Sequence, residues 1–175
     1  MTAADHPAAT GERTDLLQTL ALHRRFLRTT VRNLTDEQAA QRTTASELCL
    51  GGLIKHVAAA ESSWADFIAG GAAAMPRGSE QDGGVAWAAA FEMLPGETLA
   101  SILERYEQVA ARTAEVMAAV PDLDDSRPLP EAPWFEKGAS WSARRALLHI
   151  LAETAQHAGH ADIIRESLDG AKTMG

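Results

Sequence analysis

The sequence holds one cysteine, Cys49, so no internal disulfide is available and the fold must rest on packing. No apolar run approaches the roughly 20 residues that a membrane span needs. The first residues, MTAADHPAATGERTD, have neither the basic start nor the apolar stretch of a secretion signal. These absences predict a soluble, cytoplasmic, reduced protein with no membrane partner. Basic residues are also short in number: 16 Lys and Arg face 24 Asp and Glu, for a net charge of −8. They are scattered rather than gathered into a stripe, which argues against an electrostatic footprint for nucleic acid.

What is present is a chain of ordinary globular composition, 46% hydrophobic and 23% charged, with 175 residues. That length suits one domain, 1–175, with residues 1–10 expected as a flexible tail. No stretch alternates with period two and no internal repeat is present. Instead Leu16, Leu17, Leu20, Phe26, Leu27, Val31 and Leu34 recur at three- and four-residue steps, which predicts a first amphipathic helix at about 11–34. The TDEQ at 35–38 has the form of a capping box and predicts a short helical turn. A second helix is expected from Leu50 to Ala69, stopping at Gly70-Gly71, a third at about 97–119 and a fourth at about 141–169. Ser140 is the expected N-cap of the fourth, and Gly170 ends it. The Gly-rich connection 71–94 is longer than a compact bundle requires and is therefore functional or mobile, and a proline-rich run from Val120 ends the third helix and forms a second long loop. The expected fold is all-α, a four-helix bundle whose sites are built from inward side chains of different helices.

The fourth helix carries HILAETAQHAGHADIIRE, with three of the six histidines and a glutamate. At about 100° per residue, His149, Glu153, His157 and His160 fall at about 0°, 40°, 80° and 20°, within a quarter-turn. The arc overlaps the edge of the apolar face formed by Ala146, Ile150, Ala161 and Ile164. Residues four apart stand one turn apart on one face, a separation a metal ion can bridge, and both His149–Glu153 and Glu153–His157 qualify. The best outside ligand is His56, set in the second helix among Leu53, Val57 and Ala60. Three protein ligands leave a fourth position for water or substrate, the pattern of catalytic zinc. The plain alternative is a satisfied core histidine beside a solvated Glu/His pair, and spacing alone leaves both open.

Glu61 lies about 40° from Val57 on the second helix, close to the centre of the apolar face. A buried carboxylate needs a partner, and Arg165 and Arg145 are the expected candidates. Cys49 reads as a small buried hydrophobe, since no neighbouring base activates it. Trp134 and Trp141 flank the start of the fourth helix, where they are core anchors or a pocket wall.

The stretches GGLIKHVAAAESSW and ETAQHAGHADIIRESLDG resemble the two signature segments of the DinB-like superfamily, in an actinobacterial branch, and the likeness runs from DLLQTLALHRRFLRTTVRNLTDEQ to LDG. It implies a four-helix bundle with a divalent metal held by His56, Glu153 and His157. Glutamate in the middle position brings the chain closer to mycothiol-dependent maleylpyruvate isomerase, whose metal-binding domain uses a His, Glu, His set. Imidazole and carboxylate ligands suit zinc, with nickel or another transition metal as the other candidate, and the co-substrate the resemblance implies is a low-molecular-weight thiol. The implied activity is a thiol-dependent transferase or isomerase acting on a small molecule, with Glu61 and His160 as proton shuttle or supporting groups. A hydrolase using metal-bound hydroxide and a non-catalytic binding protein are its rivals. A homodimer is also expected. His149 is expected outside the metal's immediate ligands, because its wheel angle lies farther from His157 than that of Glu153.

Overall fold

The computed structural model describes residues 11–76 and 89–173. Four long helices form the bundle: α1 over Gly11–Thr29, α3 over Leu50–Gly70, α4 over Leu99–Ala119 and α5 over Ala143–Asp169. A four-residue helix, α2, covers Asp36–Ala39, and a short 3-10 turn covers Ala72–Ala74. Among the described residues no helix is long and apolar enough to cross a membrane. Half of the first long connection, 77–88, lies outside the described residues.

Local chemistry explains the helix ends. α1 stops five residues before the predicted limit because Thr30 and Val31 donate to the carbonyls three residues back, tightening the last turn. Asn33 then turns the chain at φ 62°, a left-handed conformation that Asn tolerates. Thr35 and Gln38 form the expected capping box. Thr98 caps α4 through the Ser101 amide. Gly170, at φ 79°, closes α5.

The cap of α5 is Ser142 rather than Ser140, because Ser140–Ser142 is a strand, β2. It pairs antiparallel with β1, Ser126–Pro128, as a ribbon across the second long connection. Three-residue strands are too short to show alternation in the sequence.

α3 packs against α4 and α5, and α5 also packs against α1. Two apolar clusters fill the interior. One gathers Leu27, Leu53, Ile54, Val57, Ile102, Tyr106 and Ile164; the other gathers Leu20, Trp64, Phe67, Met117, Leu147 and Ile150. Full burial of each such side chain is worth about 1.5–3 kcal/mol. A polar layer separates the clusters, with one residue from each long helix: Arg24, Glu61, Thr113 and Thr154. Glu61 is 1% exposed. Arg24 Nε donates to its Oε2 at 3.1 Å, Arg24 Nη2 also reaches its Oε1, and the Thr113 hydroxyl donates to that oxygen at 2.7 Å. The partner of Glu61 is therefore Arg24, not Arg165 or Arg145. Arg165 instead donates to the Thr30 and Arg32 carbonyls and to Asp169, while Arg145 lies over the Trp141 ring.

The N-terminal half of α3 is pinned by the chain at 91–93. A Cβ at Gly52 would lie 1.8 Å from the Phe91 carbonyl oxygen, so only glycine admits that crossing. Cys49, buried as expected, caps α3 by accepting from the Gly52 amide at 3.4 Å, and its thiol lies 3.6 Å from the Phe91 oxygen. Lys55 Nζ ties the same segment down through the Glu92 carbonyl.

Candidate metal centre

Beside the polar layer, on the seam between α3 and α5, His56, Glu153 and His157 converge. One position before Val57 on α3, the His56 ring is carried to the edge of the core. Glu153 and His157 precede Thr154 and Ala158 in the same way on α5, so the helical period itself aims the three groups at one point. Glu153 Oε2 lies 3.5 Å from His157 Nε2 and 3.9 Å from His56 Nε2. All three donor atoms fall within 4.8 Å of one another. Atoms bound tetrahedrally at about 2.0–2.1 Å from one ion stand about 3.3 Å apart, so small side-chain rotations close the set. Two imidazoles and a carboxylate suit zinc and its transition-metal neighbours. Among the described residues this is the group of His, Cys, Asp and Glu able to hold an ion.

The surroundings keep the imidazole lone pairs available. Burial pushes His56 down to about 4, the nearby His157 adding to the effect and Glu153 opposing it. Burial likewise lowers His157 and His149. The imidazoles are thus neutral at pH 7, the form that ligates a metal. Phe91 stacks on His56 with ring centroids 4.0 Å apart, a contact the sequence did not reveal. The paired glycines Gly51-Gly52 inside a helix were its one available signal, since they mark a close backbone approach.

The two remaining histidines of α5 take different places. Nδ1 of His160 lies 3.3 Å from Nδ1 of His157, so it faces the back of that ring rather than Glu153. Nε2 of His149 lies 3.7 Å from Oε1 of Glu153. Its ring packs edge-on against Trp64 and Trp141, at 4.9 and 5.3 Å, and those two indoles are stacked at 4.7 Å. Phe135 packs its edge against both indoles, whereas Trp134 is 77% exposed. Trp141 is therefore part of the wall beside the centre, and Trp134 is not buried in it. Glu61 is outside the converging set, both its oxygens engaged by Arg24 and Thr113. A cleft of about 1010 Å³ lies elsewhere, between α1 and α4. Two of its arginines, Arg24 and Arg28, are already paired with Glu61 and Glu107, so the cleft is a gap between helices with no comparable convergence of donors.

A profile of the mycothiol-S-transferase family matches residues 15–170, from α1 to the end of α5. Among solved structures, a conserved protein from Enterococcus faecalis is similar, with a TM-score of 0.66 and 14% identity over 90% of this chain and 97% of that chain. At that identity the likeness speaks for the fold alone. No curated protein matches the sequence.

Proposed function

The chain belongs to the mycothiol-S-transferase family, and from that premise we propose that it is a zinc-dependent thiol S-transferase working at His56, Glu153 and His157. The observation that carries this reading is the convergence of three donor atoms from two helices, within 4.8 Å of one another, at the edge of a buried polar layer. A divalent ion held by His56, Glu153 and His157 would supply positive charge that favours the thiolate form of a low-molecular-weight thiol at neutral pH, a nucleophile obtained without a reactive cysteine. Cys49 is buried and engaged as a helix cap, which leaves the nucleophile to the co-substrate.

The side chains divide the remaining work. His56 and His157 present neutral Nε2 atoms and Glu153 its carboxylate, a set whose single negative charge would leave a divalent ion net positive. His160 braces His157 from behind through the Nδ1 contact. Glu61 holds α1, α3 and α4 in register through Arg24 and Thr113. In the transfer the thiol sulfur bonds to an electrophilic carbon of a small acceptor while the bond from that carbon to its leaving group breaks, and the leaving group departs with the bonding pair and takes up the proton the thiol gives up.

Untagged protein stripped with a chelator should fail to conjugate mycothiol to a chromogenic electrophile and should recover on addition of one equivalent of zinc. Conjugation at an unchanged rate after stripping would sink the metal-dependent reading. Turnover that needs no thiol would replace it with hydrolysis.

A further inference from the structure

Resting on the metal centre proposed above, we infer that His149 is a positioning residue that holds the Glu153 carboxylate in its ligating orientation. The two oxygens of Glu153 have different neighbours. Oε2 faces the Nε2 atoms of His157 and His56, at 3.5 and 3.9 Å, and is the atom placed to bind the ion. Oε1 points the other way, to His149 Nε2 at 3.7 Å. A carboxylate with one oxygen unrestrained rotates easily, because the terminal torsion of glutamate is broad and roughly two-fold. A donor on the outer oxygen removes that freedom, which is the usual way proteins orient a metal-binding group.

His149 is fitted for this because its own ring is held. It stands one turn before Glu153 on α5, and its edges meet Trp64 and Trp141, the stacked pair supplied by α3 and β2. The same clamp keeps His149 from becoming a ligand, since swinging to the ion would abandon both indoles. The wheel angle agrees, as His149 sits about 80° from His157. A slight contraction of the 3.7 Å separation, as Glu153 settles against an ion, makes it a hydrogen bond to a charged acceptor.

The test compares wild type, His149→Ala and His149→Gln by zinc competition with a chromogenic chelator and by the absorption spectrum of the cobalt-substituted proteins. Melting of the metal-free forms checks that each variant folds. His149→Ala should bind zinc about 10- to 100-fold more weakly and shift the cobalt bands, and His149→Gln, which keeps a donor, should recover most of the affinity and the spectrum. Wild-type zinc affinity and cobalt bands in His149→Ala would reduce His149 to packing against the indoles and overturn the inference. So would loss of one nitrogen neighbour of the ion in His149→Ala, which would make His149 a ligand. A wild type that itself takes up no zinc would refute the underlying metal centre, and is told apart because all three proteins would then behave alike.

Discussion

His157→Ala should leave the purified protein without stoichiometric metal while its helical fold persists. The ring supplies one of the three converging donor atoms, and no nearby side chain replaces it: His160 reaches only the Nδ1 side of His157, and His149 is packed edge-on against the stacked Trp64 and Trp141. The loss should exceed the roughly 10- to 100-fold that removing an outer partner costs, so the variant should read as metal-free at micromolar zinc. Metal analysis beside far-ultraviolet circular dichroism checks both halves. Retention of one equivalent would mean that the ion sits elsewhere or that another residue takes the place of His157.

The second large effect concerns stability. Glu61→Gln should destabilise the metal-free protein by about 3–5 kcal/mol, the usual result of removing one partner from a buried ion pair. Arg24 is 13% exposed at its side chain and would keep its charge with no carboxylate to meet it. Domains of this size are held by only about 5–15 kcal/mol, so the urea midpoint should fall far. The variant's zinc affinity should stay near that of wild type, because Glu61 belongs to the polar layer and not to the converging donors. A stable Glu61→Gln protein with weakened zinc binding would reverse that assignment.

Much of this architecture is legible in the residues, for reasons that differ from element to element. The four helices follow from long three- and four-residue periodicities, which local chemistry seldom overrides over five or more turns. The end of α1 was not legible, because Val31 and Leu34 continue the periodicity in the turn that follows the helix, Val31 buried and Leu34 packed against the core. The ribbon at Ser126–Pro128 and Ser140–Ser142 depends on pairing between segments that no local pattern announces. The converging set on α5 came from spacing of one turn, but His56 needed the packing of α3 on α5 to meet it. Arg24 as partner of Glu61 was in principle visible, since it falls on the apolar stripe four residues after Leu20 and three before Leu27. Arg145 and Arg165, the expected partners, carry the same guanidinium, and helix packing decides which of the three meets Glu61. Which imidazole serves which oxygen of Glu153 depends on side-chain torsions, and these answer to the Trp64–Trp141 stack rather than to the helical wheel.

The most direct test of the central claim, that these three residues hold an ion which in turn holds a thiol, is X-ray absorption at the zinc edge with and without mycothiol. Without thiol, the zinc should show only nitrogen and oxygen neighbours, at about 2.0–2.2 Å. With thiol, one sulfur should appear at about 2.3 Å, and it should be absent when His157→Ala is treated in the same way. Zinc that keeps an all-nitrogen-and-oxygen shell at saturating mycothiol would contradict the account.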